Sequence, residues 1–264
     1  MNKFTIFAAA IALFSFTGTN AAETSEPKDF NIIGNGREVK SSAERSTRTV
    51  SVKEKYSAIK VSQGITVNLT NGEGPLTASI SGPTNVVDLT AIEVDNNTLI
   101  VKFKENISLK GENVIVDIKG MIPDSFHGSA GGILNVNSSV KSDGEVSVNV
   151  SSGATVNLNK TVSGSDIEIA ASSGAFINMN NKATAAECTV DTSTGAEIKI
   201  AEITTDYIRL KASTGGTAKI SGKANVASAK ASLGGEIDCR KLTVNNYKSV
   251  KTSLGGEILR QKAI

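Results

Sequence analysis

The residues best suited to catalysis in this 264-residue chain are one histidine and a series of regularly spaced serines. A serine nucleophile needs a nearby base, and a Ser-His-Asp arrangement would have to use His127, which lies between Phe126 and Gly128. The serines, however, recur in seven equivalent phrases, whereas catalysis requires one serine paired with one base. We therefore predict that no residue here is catalytic and that His127 is a surface or turn residue.

The two cysteines, Cys188 and Cys239, are the other candidates for reactive chemistry. One lies seven residues before and the other five residues after the glycine of its own phrase, with a whole repeat between them. A disulfide needs Cα atoms within about 7 Å, which this offset should prevent. A metal site built on several histidines is impossible with one histidine. We expect two reduced thiols in the core, no metal and no cofactor.

Charged residues recur at fixed places in the repeat, as expected for an outward-facing row. The carboxylates lie two residues after a glycine and the lysines four before one: Glu197, Glu236 and Glu257, and Lys211, Lys230 and Lys251. Enzymes that cleave polysaccharides bring paired carboxylates to the sugar, and aromatic side chains often hold its rings. The chain has no Trp and three Tyr. We predict that these rows are solvated columns rather than an active site.

All these residues belong to a repeat of roughly twenty residues, whose shared phrase has serine first and glycine third. The phrases are SAGGILNV, SSGATVNL, SSGAFINM, STGAEIKI, STGGTAKI, SLGGEIDC and SLGGEILR. Successive serines are 22, 21, 21, 20, 19 and 21 residues apart, beginning at Ser129. The predicted structural corners are Ser151, Gly153, Ser172, Gly174, Ser193, Gly195, Ser213, Gly215, Ser232, Gly234, Ser253 and Gly255. Such periodicity is typical of solenoid architectures.

Apolar residues alternate on both sides of each corner, which indicates two strands that meet at a turn. Around Gly153 the inward positions hold Val146, Val148, Val150, Val156 and Leu158. One unit buries little alone, so units must stack at about 4.8 Å per strand. We predict an all-β protein, a parallel β-helix or β-solenoid with about seven regular C-terminal rungs. Right-handed coiling, the more frequent choice, is assumed.

The last repeat differs from the others, because Lys248 and Arg260 take inward positions around Gly255. A terminal rung has no neighbour to cover it and should be polar, so the ladder is predicted to end there. Further upstream, alternating runs separated by turn signals predict a less regular β half over residues 49–120, followed by the regular repeats over 121–264.

The first residues have the layout of an export signal, with Lys3, an apolar run and small residues before Glu23. We predict a signal peptide over residues 1–22, a flexible leader over 23–48 and no membrane span in the mature protein. The chain carries 28 basic and 26 acidic residues without a basic tract, which argues against a nucleic-acid partner.

The stretch Tyr56-Ser-Ala-Ile59-Lys-Val61-Ser-Gln-Gly64-Ile65-Thr-Val67-Asn-Leu69, with the serine-glycine phrases that follow, resembles a known family. That family is called putative auto-transporter adhesin, head GIN domain, and the resemblance covers roughly residues 50–264. It implies a β-helical domain exported by a Gram-negative bacterium and used in adhesion. It brings no binding residues that could be assigned to positions here.

The leading hypothesis is an exported, non-catalytic, adhesin-like binding protein whose polar rows contact a polysaccharide or a surface protein. Its expected location is the periplasm, the outer-membrane surface or the extracellular space. Two alternatives stay open: a polysaccharide lyase or hydrolase of the β-helix type, and a purely structural periplasmic protein.

Overall fold

The structure is a computed structural model that describes residues 30–31 and 36–261. The described part contains short and long strands and one six-residue helix, α1 (Thr84–Leu89). The strands are β1 (Phe30–Asn31), β2 (Arg37–Lys40), β3 (Arg45–Val52), β4 (Ala58–Val61), β5 (Thr66–Asn71), β6 (Leu76–Pro83), β7 (Thr90–Asp95), β8 (Thr98–Phe103), β9 (Ile107–Gly111), β10 (Ile115–Gly120), β11 (Ser125–Gly128), β12 (Ile133–Val136), β13 (Val140–Lys141), β14 (Glu145–Val150), β15 (Thr155–Leu158), β16 (Val162–Ser163), β17 (Asp166–Ala171), β18 (Phe176–Thr192), β19 (Glu197–Ala212), β20 (Thr217–Ser232), β21 (Glu236–Ser253) and β22 (Glu257–Arg260).

The prediction of a flexible leader over residues 23–48 is wrong for the C-terminal part of that range. Residues 37–40 form β2, which pairs with β9, and residues 45–48 begin β3, which pairs antiparallel with β6. These segments have few apolar residues, so the sequence pattern did not reveal them; they are held by pairing with strands far along the chain. The predicted signal peptide, residues 1–22, lies outside the described residues.

The regular part of the chain coils into a β-solenoid of about six turns, which confirms the predicted fold. The first sheet holds the strands before each corner and the second holds the strands after it; their parallel pairing is in register along the stack. The third sheet is formed by β13, β16 and the middle parts of β18 to β21. Each of the long strands β18 to β21 runs from the second sheet through the third sheet into the first sheet.

The inward columns predicted from the alternation form one continuous apolar core. Val148, Ile169, Val190 and Leu210 succeed one another along the stack, and each is at most 1% exposed. Each such side chain contributes about 1.5–3 kcal/mol on full burial, so the repeats stabilise one another rather than folding alone.

The corners are tight turns with two successive left-handed residues. The residue before the first glycine has φ between +45° and +60°, and that glycine has φ between +67° and +75°. The next amide donates a hydrogen bond of 2.8–3.3 Å to the serine carbonyl, which closes a four-residue turn. Two positive φ values with this closure define a type I′ turn, in which glycine is favoured because it lacks Cβ.

Each corner is also bonded to the next one along the stack. The N–H of the first glycine donates to the carbonyl of the left-handed residue in the following rung, at 2.9–3.1 Å, from Gly64 to Gly234. This series includes an eighth corner, Ser62-Gln63-Gly64, that was not recognised as a repeat from the sequence. The phrase SQGITVNL from Ser62 closely matches SSGATVNL from Ser151, a signal that could have identified it.

The start of the solenoid is covered by antiparallel structure. β3 pairs antiparallel with β6, and β7 pairs antiparallel with β8, while α1 connects β6 to β7 and buries Val86 and Val87. The hairpin between β7 and β8 turns at Asn96 and Asn97, both of which have positive φ. Asparagine tolerates this conformation better than other non-glycine residues. Antiparallel strands and α1 therefore cover the core at this end of the solenoid.

The other end differs from the prediction at one residue. The pairing of β20 with β21 shifts register between Ala227 and Ser228, so Tyr247 rather than Lys248 stands opposite Ala227. The bulge turns Lys248 to the solvent, where it is exposed. Arg260 does stand in the predicted column opposite Cys239, and its guanidinium lies 5.0 Å from the centre of the Tyr247 ring.

Both cysteines are free and buried, at 1% exposure for Cys188 and 0% for Cys239, so their predicted inward positions are confirmed. Burial raises the pKa of the Cys188 thiol to about 12 and raises the pKa of the Cys239 thiol. Only the thiolate reacts appreciably with disulfide reagents.

The native protein should therefore show no fast thiol reaction with an aromatic disulfide reagent at pH 8, and two thiols per chain after unfolding in guanidinium. Absorbance of the released aromatic thiol measures both numbers. Fewer than two thiols in denaturant without reductant would indicate a disulfide and a different register.

The corner geometry also predicts that substitutions at two adjacent glycines lower the free energy of unfolding by unequal amounts. A Cβ at Gly235 would lie 2.4 Å from the carbonyl carbon of Ala212 and 2.5 Å from its oxygen, whereas one at Gly234 meets nothing within 4 Å. Gly234→Ala should lower the free energy of unfolding by about 1–2 kcal/mol, because alanine is strained at this left-handed φ. Gly235→Ala should cost at least about 3 kcal/mol, because backbone must move.

Urea unfolding monitored by circular dichroism compares the two variants. Ala196→Gly is the control, because Ala196 occupies the position of Gly235 in another rung and leaves the turn intact. Equal losses for the two glycine variants would contradict the close approach between rungs.

Candidate functional site

The first sheet presents an outward row that runs along the whole stack, four residues before the first glycine of each corner. Its parallel pairing places one residue per strand in this row: Lys60, His127, Asn149, Ala170, Asp191, Lys211, Lys230 and Lys251. Neighbouring members are one strand apart, about 4.8 Å. A chain-like ligand lying along this row would meet a new side chain at every rung.

A shallow groove of about 760 Å³ occupies the first part of this row. Its floor runs from Lys60 to Lys211, and one wall consists of corner serines, among them Ser151 and Ser172. Ala170 has the smallest side chain in the row, so the floor is lowest there. The groove crosses the strands, and most of the residues that line it carry hydroxyl, amide, imidazole or charged groups.

His127 lies at one end of this groove and is half-buried. Its Nε2 is 3.0 Å from the Ser125 hydroxyl, two residues away on the same face of β11. Burial, followed by the positive charge of Lys60, lowers the pKa of His127 below its usual 6.5. The ring is therefore neutral at pH 7 and serves as a hydrogen-bonding group rather than a cation. Within the described residues its ring has no carboxylate partner.

The charges at the other end of the groove are partly matched. Lys211 Nζ lies 3.4 Å from an oxygen of Asp191 in the preceding rung. Both side chains are nearly half exposed, so the pair contributes little to stability. It leaves carboxylate oxygens and ammonium protons available to a ligand.

The second sheet carries a different surface, made of stacked amides. Asn178, Asn157 and Asn135 each donate from Nδ2 to the Oδ1 of the asparagine one rung earlier, at 2.8–2.9 Å. The chain continues from Asn68 to Asp117 at 2.8 Å. A second, shorter ladder joins Asn180, Asn159 and Asn137. Each donating amide uses one of its two N–H groups in its ladder.

Beyond the amides, the second sheet carries an ion cluster. Glu197 accepts from Lys219 at 2.9 Å and lies 3.3 Å from Lys199. Burial alone would raise the pKa of Glu197, but the hydrogen bonds and charges of the two lysines outweigh it, and the pKa is lowered. Of the three predicted carboxylates in this column, Glu197 is thus held by partners rather than simply solvated.

The predicted corner residues take two roles. The serines of the earlier corners, Ser151, Ser172 and Ser193, line the groove, whereas Ser213, Ser232 and Ser253 lie further along the same edge. The corner glycines supply the turn conformation. The groove itself was missed from the sequence. Polar residues recur four and six residues before most of the corner glycines, but the sequence prediction used only the lysines of the last three rungs.

The described residues place no three His, Cys, Asp or Glu side chains where they could hold a metal ion together. No helix within residues 30–31 and 36–261 is long and apolar enough to cross a membrane. The groups that line the groove are donors and acceptors of hydrogen bonds, together with isolated charges. They suit the recognition of a polar, extended chain.

The histidine gives a direct test of the electrostatics of the groove. Because its pKa is lowered on folding, the unfolded state binds more protons between that value and 6.5, so stability should fall as the pH drops through this window. Lys60→Met should raise the pKa of His127 while leaving it below 6.5, because burial remains. The single histidine gives one resonance to follow by NMR titration.

Lys230→Met is the matched control, because Lys230 lies in the same row several rungs away and should leave the titration unchanged. An unaltered titration in Lys60→Met would show that burial alone sets the pKa.

Solved structures share this architecture at low sequence identity. A putative adhesin from Parabacteroides distasonis matches with a TM-score of 0.73 and 19% identity, covering 85% of this chain and 100% of that chain. A putative lipid binding protein from the same organism matches with a TM-score of 0.71 and 14% identity, covering 86% and 100%. A putative adhesin from Parabacteroides merdae has a TM-score of 0.57 and 19% identity, covering 83% and 99%. At these identities the likeness shows the fold alone.

No curated protein matches the sequence. A family model does, over residues 55–199 and again over 161–258, so the matched segments span the corner at Gly64 and nearly all of the solenoid. The chain therefore belongs to the family described as putative auto-transporter adhesin, head GIN domain.

Proposed function

We propose that this protein is an exported, non-catalytic binding protein of the adhesin type, and that the groove on the first sheet holds an extended polar polymer. The observation that carries the proposal is the groove itself, which runs along the stack and offers at least one polar side chain per rung. A rigid row of weak contacts gains strength when several act together.

A polysaccharide fits this groove better than an apolar ligand. The lining contains hydroxyls of Ser129, Ser151 and Ser172, the amide of Asn149 and the carboxylate of Glu168. Hydroxyl groups of a sugar chain can donate to the carboxylates and accept from the amide and lysine groups. The low floor at Ala170 leaves room for a ring that the flanking side chains do not occupy.

The same groove gives little support to catalysis. Ser125 and His127 are hydrogen-bonded at 3.0 Å, but a serine nucleophile also needs an oriented base and an oxyanion site. The carboxylate of Asp191 is shared with Lys211. Binding without bond cleavage is therefore the function proposed, and the polysaccharide lyase or hydrolase is the alternative that the experiment must separate from it.

Retention on immobilised extended polysaccharides, bacterial and host, tests the proposal. Ala170→Arg fills the lowest part of the floor and should weaken retention about tenfold or more, because the loss of even 1.4 kcal/mol is tenfold in affinity. Ala201→Arg makes the same change at an exposed position of β19 outside the groove and should have no effect.

Soluble fractions from the same incubations are examined for new chain ends. Retention that is lost in Ala170→Arg and kept in Ala201→Arg, without new ends, supports the proposal. New ends would establish an enzyme. Retention insensitive to Ala170→Arg would place the ligand elsewhere. Lipid vesicles are included as a ligand, because one structural neighbour is named a putative lipid binding protein.

A further inference from the structure

Two leucines stand out on the edge formed by the corners. Leu233 and Leu254 occupy the left-handed position of the last two corners, with φ of +50° and +49°. Leu233 is 54% exposed and Leu254 is 75% exposed. They lie on adjacent rungs, since the Gly234 N–H donates to the Leu254 carbonyl at 3.1 Å. Together they form the leucine ridge.

The fold itself does not account for this ridge. A bulky side chain in the left-handed region is strained, and exposed leucine gains no burial energy. The same position in the six earlier corners holds smaller or polar residues: Gln63, Ala130, Ser152, Ser173, Thr194 and Thr214. The two leucines are thus unfavourable in the isolated chain both in conformation and in solvation, which points to a surface that covers them.

Charged rows of opposite sign run on the two sides of the ridge. Lys230 and Lys251 lie on the first sheet and Glu236 and Glu257 on the second. None of these four side chains forms an ion pair within the described part of the chain. The preceding rungs differ, because Lys211 is paired with Asp191 and Glu197 with Lys219. Arg240 interacts electrostatically with Glu236 and Glu257 without a close ion pair, so charges without a salt-bridge partner and exposed leucines coincide on the last two rungs of the described part.

This arrangement is complementary to itself. If a second copy faces the ridge through a two-fold axis parallel to the stack, each leucine meets its own counterpart. The rotation also exchanges left and right, so the lysine row of one copy lies opposite the glutamate row of the other. Isologous contacts of this kind are the commonest in soluble oligomers.

We propose that the leucine ridge, with Lys230, Lys251, Glu236 and Glu257, is the interface of a parallel homodimer. An antiparallel two-fold arrangement is excluded by charge, because it would place lysine opposite lysine and glutamate opposite glutamate. An anionic bilayer fits less well, because the glutamate row would face the lipid headgroups. The groove from Lys60 to Lys211 lies in the earlier rungs of the first sheet, so the two grooves would lie at the same level of the stack on opposite faces of the dimer.

The contact is narrow, since a corner presents few side chains per rung. Stable protein interfaces bury about 800 Å² per partner, and a ridge of two leucines with flanking charges falls short of this. The dimer is accordingly weak, dependent on concentration and weakened by salt, which screens the exposed charge pairs.

Reversing the charge of either row tests the proposed dimer. An acidic variant carries Lys230→Glu and Lys251→Glu, and a basic variant carries Glu236→Lys and Glu257→Lys. Each should sediment as a monomer at concentrations where the native protein is partly dimeric, because like rows then face each other. A one-to-one mixture should recover the dimer, because the two variants are complementary. Analytical ultracentrifugation at low and high salt measures all three.

The leucines are tested separately. Leu233→Thr and Leu254→Ser introduce residue types that other corners already hold, so the fold is retained. Each should weaken dimerisation about tenfold or more, because one substitution removes the leucine from both copies. Leu254→Cys should form a disulfide with its own counterpart on mild oxidation, whereas Thr243→Cys, exposed on the third sheet of the same rung, should not.

A native protein that stays monomeric at high concentration would overturn the proposal. So would failure of the mixed variants to associate, or equal cross-linking at positions 243 and 254. Recovery in the mixture together with selective cross-linking at position 254 establishes the parallel dimer. Association of the native protein with anionic vesicles that depends on the two leucines, without self-association, would assign the ridge to a membrane surface instead.

Discussion

The stacked corner is the constraint on which the rest of this structure depends. Two left-handed residues close each turn, and the glycine N–H of each turn is bonded to the carbonyl of the next rung. Because the same bond recurs from Gly64 to Gly234, each strand that leaves a corner starts at the same point relative to its neighbours. The strands are therefore paired in register. A shift by one residue would turn the core face of a strand to the solvent. The corner therefore aligns the core.

Alignment of the core also aligns the surface. Side chains that lie four residues before the corner all face outward in one row, and those four and six residues after it form two more. In the first sheet this produces a groove, and in the second it produces two amide ladders, the longer of which runs from Asn178 to Asp117. These surface rows follow from the stacking geometry, and their chemistry changes only through the residue types placed in each row.

The strand edges at the two ends of the stack are covered in different ways. A solenoid exposes a strand edge at each end, and such edges invite pairing with other chains. At the start, antiparallel strands and α1 cover the core. At the far end, a bulge turns Lys248 outward and Arg260 lies over Tyr247, so charged groups cover part of the last rung. The exposed Leu233 and Leu254 lie on the corner edge of this same end, beside the last rungs rather than over them.

The sequence by itself determined the repeat, the inward columns, the corners and the burial of both cysteines, because these depend on local period and on the conformational freedom of glycine. The spacing of the phrases did not show that Ser62-Gln63-Gly64 is an eighth corner, because 67 residues separate Ser62 from Ser129, although its phrase matches the one from Ser151. Nor did it show the strands near Arg37 and Arg45, whose polar residues are held by distant partners. The groove was likewise decided by tertiary structure, because residues about twenty positions apart become neighbours only when the chain coils.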